Sequence, residues 1–371
     1  MRLVRGARLR QRRRHRLRAA LDRGAGLSPT DDTLRTAVVV VNWERADLTT
    51  AAVRAVLADG AADQVVVVDN GSSDDSVAVL RRALPDVTVV AREHNDGFAA
   101  GANTGIRHAD ADVVVLLNND AVPAPGFVAA LRDHLAQAGP EVAAVTGRIV
   151  LAGRWTGLPV GATPAPGQRV LRDHDGRLWT PSADGEVRLN STGVRVDRDG
   201  NGMDRDWFAP VDRVADVDVF GFSGGASALR RSALDDVGLL DESLFMYYED
   251  TELAWRLRRR GWRVEHAADA VVEHDHSASS GVQSDLFRFR NARNRMVVAL
   301  WHAPWPTVLR ASARTLFRGL RGMLSGTTRR EARLVLAAFA DVVGALPSHL
   351  VRRLRESRRA SVPRRSVDPG A

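Results

Sequence analysis

Three short apolar runs near the start of the chain each stop at a polar residue. Ala37-Val38-Val39-Val40-Val41 ends at Asn42, Val65-Val66-Val67-Val68 at Asp69-Asn70-Gly71, and Val113 to Leu117 at Asn118-Asn119-Asp120. Runs this short, rich in β-branched residues and without polar alternation, fit strands covered on both faces, as in a parallel sheet flanked by helices. Helical patterning near 47–58, 74–83 and 98–108, with a further strand at 87–90, supplies the alternation of a βαβ chain. The expected fold class is therefore α/β, with a mostly parallel central sheet. Ligands of such sheets sit at the carboxyl ends of the strands, so Asn42, Asp69 and the 118–120 run are predicted to converge on one crevice.

The 371 residues are enough for one large α/β domain with appendages. Residues 1–33 read as a basic, disordered arm ending in the breakers Ser28-Pro29-Thr30-Asp31-Asp32, and 34–301 as the main domain. Within it, 150–215 is rich in Gly, Pro, Asp and Arg and reads as a long, loosely structured insertion. Helical blocks are predicted near 226–237, 249–260 and 284–301. From 302 to 371 basic residues interleave with apolar ones, the pattern of a basic amphipathic helical extension that associates with membranes.

Charge is placed unevenly, and its placement says more than the total of +8. Residues 1–30 carry a net +9 and residues 302–371 a net +10, which leaves 31–301 at −11. An acidic body between basic ends is not the profile of a surface that grips nucleic acid. It suits a catalytic domain held by its ends against an anionic membrane surface, with a cation inside to manage phosphate charge. No run of 18 uncharged apolar residues occurs, and the start has no apolar h-region. The expected location is thus cytoplasmic, peripheral at the inner face of the cell membrane. The absence of cysteine excludes disulfides, thiolate zinc sites and cysteine nucleophiles.

Four clusters carry candidate chemistry. Asp69-Asn70-Gly71-Ser72-Ser73-Asp74 puts a carboxylate at a strand end, where it can accept hydrogen bonds from a nucleobase or ribose, and Gly71 permits the tight turn. Alone, the same residues also make a plain turn with a helix cap at Ser73. Asn118-Asn119-Asp120 offers oxygen ligands to a hard divalent cation, which takes few carboxylates and completes its shell with phosphate. A polar turn before Pro123 is the alternative. Glu249-Asp250 opens a predicted helix, where the macrodipole favours acids whether or not they act. One of the pair can serve as general base toward a hydroxyl. Neighbours on a helix point about 100° apart, so only one is expected to face the site. His274, in His274-Asp275-His276, follows the apolar run 270–272 and stands where a neutral imidazole can meet a metal or a diphosphate.

In combination these residues resemble family 2 glycosyltransferases. The resemblance is carried by Val-Val-Asn-Trp at 40–43, Val-Asp-Asn-Gly-Ser-Ser-Asp at 68–74, Asn95-Asp96-Gly97-Phe98-Ala99-Ala100-Gly101-Ala102-Asn103 and Leu-Asn-Asn-Asp at 117–120. It continues through Gly224-Gly225-Ala226, Val237 to Glu242, Tyr248-Glu249-Asp250 and Trp255-Arg256-Leu257, spanning roughly residues 36–300 in order. The resemblance implies a GT-A (nucleotide-diphospho-sugar transferase) fold and inversion at the donor's anomeric carbon. It further implies a nucleotide-sugar donor bound by Asp69, with Asn42, Asn95, Asn103 and Asn119 at the same pocket and Gly224 and Gly225 against the sugar. By the same match Asp120 is the metal-binding carboxylate for Mg2+ or Mn2+, His274 approaches metal or diphosphate, and Asp250, with Glu249 beside it, is the catalytic base. Asn118 stands where many relatives have Asp, which leaves Asp120 as the charged ligand there. The stretch 274–280, followed by Phe287-Arg288-Phe289-Arg290-Asn291-Ala292-Arg293-Asn294-Arg295, is similar to a bacterial rhamnosyltransferase-like branch of cell-wall and surface-polysaccharide enzymes. That similarity implies L-rhamnose from dTDP-rhamnose as donor and a polyprenyl-diphosphate-linked or other cell-surface glycan as acceptor; the 150–215 insertion, read from its composition, is expected to border the acceptor side.

Competing readings make distinct demands on the sequence. A family 2 transferase with a UDP- or GDP-sugar donor meets the same motifs. A sugar nucleotidyltransferase calls for a Gly-rich N-terminal loop, and residues 37–50 contain no glycine. A non-catalytic, sugar-binding relative would lack the Glu-Asp pair or the metal carboxylate, and both are present. Nucleic-acid binding lacks a basic face interleaved with aromatics.

Overall fold

Each apolar run is a strand in the computed structural model, which describes residues 34–165, 167–275, 284–324 and 329–367. The arm expected over 1–33, His276 and most of the 274–280 stretch lie outside the described residues. Strands and helices alternate as β1 (Thr36–Asn42), α1 (Ala46–Asp59), β2 (Gln64–Asp69), α2 (Ser76–Ala83), β3 (Thr88–Ala91), α3 (Phe98–His108) and β4 (Val113–Asn118). The four strands pair in parallel in the order β4-β1-β2-β3. Val38, Val39, Val40, Val66, Val67 and Val114 are buried whichever face they point to. Removing each such side chain from water is worth roughly 1.5–3 kcal/mol.

The second half of the sheet is mixed. After β5 (Ala121–Pro123) and α4 (Phe127–Gln137) comes β6 (Val142–Leu151). The 150–215 region then forms β7 (Trp155–Gly157), β8 (Leu171–Arg172), β9 (Leu178–Pro181), β10 (Leu189–Ser191), β11 (Val194–Val196) and β12 (Gly202–Asp204), followed by β13 (Asp218–Val219). It is more regular than its composition predicts. Three of its strands make a small antiparallel sheet, β10 joins β6, and β11 pairs with β12. What holds it is aromatic packing of Trp155, Trp179 and Phe208, with ring centroids 5.2–5.6 Å apart, instead of hydrophobic periodicity.

The helical block predicted over 226–237 needs correcting. Ala226–Arg230 is strand β14, and the helix α5 covers only Arg231–Val237. Ala-Ser-Ala-Leu-Arg favours helix locally, yet β14 runs antiparallel between β4 and β6 at the sheet centre, with Ala226, Ala228 and Leu229 buried. Tertiary pairing overrides a weak local propensity. Helix α6 (Glu249–Arg260) and strand β15 (Arg263–His274) complete the path β13-β15-β6-β14-β4-β1-β2-β3.

Four helices follow: α7 (Asp285–His302), α8 (Trp305–Leu324), α9 (Arg329–Gly344) and α10 (Leu346–Arg359). Met296, Val297, Val298 and Trp301 of α7 share a buried cluster with Trp255 of α6, Val308 and Ala311 of α8, and Ala338 and Val342 of α9. Glu252 of α6 ties the same layers together. It accepts from Arg256 at 2.7–3.0 Å and contacts His302 Nε2 at 3.0 Å, with all three side chains buried. The described residues from 35 onward form one compact unit. Among the described residues no single helix is long and apolar enough to cross a membrane; α9 and α10 meet that test only as a pair bent by 67°.

Candidate active site

Parallel register brings the strand-end polar residues together. Asn42 stands beside Asp69 across β1 and β2, and Val41 beside Asn118 across β1 and β4. The Asn42 Nδ2 donates to Asp69 Oδ2 at 2.7 Å, while Asn42 Oδ1 accepts from Thr49 at 2.6 Å. Asn42 is fully buried and therefore orients Asp69 from behind. Asp69 also accepts from the Ser72 hydroxyl at 2.7 Å and the Ser72 N–H at 3.0 Å. The turn between them needs Gly71, whose φ of +74° and contact with the His94 backbone leave no room for a Cβ. Asn95 Oδ1 accepts from Gly97 N–H and from Asn70 Nδ2, each at 3.0 Å, so its amide shapes this rim.

Beside that rim lies a cavity of about 290 Å3. Asn118 at the end of β4 and Asn119 just after it line it, with Gly224 and Gly225 from the loop before β14, Glu249 and Asp250 from the start of α6, and His274 from the end of β15. The expectation that only one of Glu249 and Asp250 faces the site is thus corrected. Both leading residues of α6 line the cavity. Their environments differ. Asp250 accepts N–H bonds from Gly224 at 3.2 Å and Thr251 at 2.5 Å, plus the Thr251 hydroxyl at 3.1 Å. Glu249 is buried, and its Oε2 has no hydrogen-bond partner among the described residues. Burial raises both carboxyls above their ordinary range. For Glu249 the neighbouring Asp250 charge adds to the rise, whereas for Asp250 the donated N–H bonds oppose it.

The loop that delivers this pair is strained. Phe245, Tyr247 and Tyr248 have φ of 67°, 67° and 73°, a region bulky side chains rarely occupy. Phe245 makes a γ-turn, with Met246 N–H donating to Leu244 O at 2.8 Å. Each such residue costs of the order of 1–3 kcal/mol, so surrounding contacts must hold it. They come from α7: Asn294 Nδ2 lies 2.9, 3.0 and 2.8 Å from the carbonyls of Leu244, Met246 and Tyr247.

Also lining the cavity, His274 has its Nε2 3.0 Å from Asp120 Oδ1 and its Nδ1 2.7 Å from Asn190 Oδ1. With Nδ1–H given to Asn190, Nε2 is the nitrogen turned toward Asp120, which is how a metal-binding imidazole is oriented by its outer partner. Ligands at about 2.1 Å in an octahedral shell stand about 3.0 Å from each other, so this pair fits adjacent positions on a small divalent cation. Among the described residues no group of three or more His, Asp or Glu side chains could hold a metal. The protein offers two ligands, the number expected when phosphate completes the shell.

Asn103 sits apart from this constellation. Its amide donates to Leu240 O at 2.9 Å and accepts from Leu240 N–H at 3.0 Å, which clasps α3 to the 240 loop and uses both ends of the group. Asn190 and Asp204 are cavity residues that sequence reading did not single out. Both come from the 150–215 region, where no apolar period marks the strands; Asn190-Ser191-Thr192 is a polar strand end, the same signal that identified Asp69. Burial pushes Asp204 up to about 6, opposed by Ser191 and reinforced by Asp250.

A family model described as Glycosyl transferase family 2 matches residues 37–238, more than half of the chain. A "Pre-mycofactocin glycosyltransferase" of Mycobacterium tuberculosis is 30% identical over 218 residues, 57% of this chain and 37% of that protein. The chain thus spans little more than a third of that relative's length. An "N-acetylglucosaminyl-diphospho-decaprenol L-rhamnosyltransferase" of the same organism is 27% identical over 293 residues, 73% of this chain and 88% of the relative. Among solved structures, GalNAc-T7 with UDP, GalNAc and Mn2+ has a TM-score of 0.53 at 16% identity, covering 86% of this chain and 58% of that one, a likeness of fold.

Proposed function

The chain belongs to glycosyl transferase family 2, and we propose that it moves L-rhamnose, with inversion, from dTDP-rhamnose to a polyprenyl-diphosphate-linked glycan. It is a glycosyltransferase of GT-A fold. The rhamnosyl donor and lipid-linked acceptor are supported by the printed name of the rhamnosyltransferase relative, which matches over most of both chains.

Asp250 carries the reaction. An acceptor hydroxyl entering the cavity gives its proton to the Asp250 carboxylate as its oxygen attacks the anomeric carbon. The C–O bond forms on one face while the bond to diphosphate breaks on the other, and the nucleoside diphosphate leaves with the electron pair. The Gly224 N–H favours the ionised form of Asp250 and aims it, and Asp69 would hold the nucleoside. Asp120 and His274 would hold Mg2+ or Mn2+, which supplies charge neutralisation at the departing diphosphate. The carrying observation is that one cavity is lined both by a hydrogen-bonded Asp250 and by the His274 of the Asp120 pair.

The test is a donor screen with the purified chain, using dTDP-, UDP- and GDP-sugars, divalent metal and a polyprenyl-linked acceptor, and reading nucleoside diphosphate release. Release from dTDP-rhamnose above all others is expected. General-base assistance is worth about 10²–10⁴-fold, so Asp250→Asn is expected to lose at least that lower factor in turnover while binding donor nucleotide normally. Near-normal turnover in that variant rejects Asp250 as base.

A further inference from the structure

A second cavity, about 950 Å3, lies between α7, α8, α9 and the turn of the β11–β12 hairpin. Arg295, Arg314, Arg318 and Arg321 line it; Arg314 pairs with Asp199 and Arg318 with Glu331, which leaves the four arginines in net excess over the two acids. Its remaining wall is apolar, with Phe317, Leu324 and Val335. Phe317 and Leu324 are largely exposed, so that wall opens to the surface. A groove with a net cationic floor and a hydrocarbon rim suits a ligand that is anionic at one end and apolar at the other. Arg295 strengthens the case. Burial lowers its pKa, and its Nε–H is buried with no acceptor among the described residues. A buried donor left unmatched costs about 1–3 kcal/mol, which an arriving anion would recover.

The groove also stands at the right place. Asn201, which accepts from Arg295 at 2.8 Å, is part of its wall, and Asp204 of the same strand region lines the catalytic cavity. Three residues of extended chain span at most about 10 Å. Gly202, between them, packs against the Tyr248 ring and Thr251, the neighbours of Glu249 and Asp250. One sugar residue and its diphosphate can bridge such a wall. We propose that this arginine groove binds the diphosphate and first isoprenoid units of the lipid-linked acceptor, presenting the attached sugar to Asp250. This rests on the lipid-acceptor reading above and assigns its binding site.

The experiment compares the full chain with Arg318→Ala/Arg321→Ala, two surface positions on a helix where alanine keeps helix propensity. Binding is measured to neutral phosphatidylcholine vesicles with and without undecaprenyl diphosphate, and separately to vesicles containing phosphatidylglycerol. The proposal expects the wild-type chain to bind the diphosphate-bearing vesicles and the double variant to bind them about tenfold more weakly or less, as loss of charge-assisted phosphate contacts implies. Binding to phosphatidylglycerol vesicles should change far less, and nucleotide titration should not change. Equal losses on both vesicle types would mean a general lipid contact and overturn the proposal, as would no loss on either. Displacement of wild-type chain by inorganic diphosphate alone, as completely as by the lipid form, would also overturn it, because the apolar wall would then contribute nothing. Arg321→Glu provides a second variant, expected to weaken the diphosphate arm further. Specific diphosphate binding without sugar transfer from any donor would leave the groove standing and reject the catalytic reading.

Discussion

Glu249 and Asp250 are chain neighbours in one buried corner, and two negative charges there would repel each other at low local dielectric. The hydrogen bonds decide which one ionises. Asp250 receives three donors, and Glu249 Oε2 receives none, so the shared proton belongs on Glu249. Paired carboxyls whose surroundings push them apart in this way divide acid and base duties. A stability consequence follows from the sign of the shift. A carboxyl raised above its ordinary range contributes its stability below that range and loses it as pH climbs through the raised value. Glu249→Gln cannot ionise and escapes that loss. Its melting temperature should match wild type near pH 5 and exceed it increasingly toward pH 8. Parallel melting curves across that range would show that Glu249 does not titrate as described. The pair itself was legible in the sequence, as two acids at a helix start. The partition of roles was not, because Gly224 lies 26 residues away and its N–H direction depends on the loop before β14.

At the scale of elements, strand ends were readable and the loop geometry was not. Four apolar runs ending in polar residues fix where β1, β2, β4 and β15 stop, and parallel register does the rest. Asn103 shows the limit of that logic. A familiar helix pattern placed it at the donor site, yet the face of α3 that carries it turns to the 240 loop. Asn294 shows the converse. It drew notice only as part of a resembling stretch, but it is the clasp that holds the strained 245–248 segment through three carbonyls. Charge offers a way to test this clasp apart from volume. Asn294→Ala removes the donors and leaves the carbonyls unpaired, costing about 1–3 kcal/mol. Asn294→Asp keeps the volume but turns a buried acceptor toward three acceptors, so it should be the more damaging of the two. Chemical denaturation gives the stabilities, and turnover should fall in the same order because the segment delivers Asp250. An Asp variant as stable as the Ala variant would mean the amide is not donating as the distances indicate.

For the molecule as a whole, the sequence showed an acidic body between basic ends, and the fold gives the carboxy-terminal end a definite surface. Helices α8 to α10 pack their inner faces into the cluster around Trp301 and Trp255, so they cannot be treated as a detachable tail. Their outer faces leave Leu309, Phe317, Leu320, Leu324, Val351 and Leu354 largely exposed, interspersed with arginines. Apolar side chains standing among cations are costly in water and favourable at a lipid headgroup layer, where each basic residue adds roughly 1 kcal/mol near an anionic surface. We therefore propose attachment to the inner face of the cell membrane through this surface and the basic amino-terminal arm. Because many arginines share the work, removal of two should matter little, whereas salt should matter greatly. The screening length falls from about 10 Å at 0.1 M to about 3 Å at 1 M, so the charge-driven part of binding should collapse over that interval. Co-sedimentation with vesicles containing phosphatidylglycerol should be strong at low salt and mostly lost at 1 M, and weak at all salt concentrations with neutral vesicles. Binding that ignores both lipid charge and salt would leave the basic ends without a membrane role and reduce the exposed leucines to an ordinary protein surface.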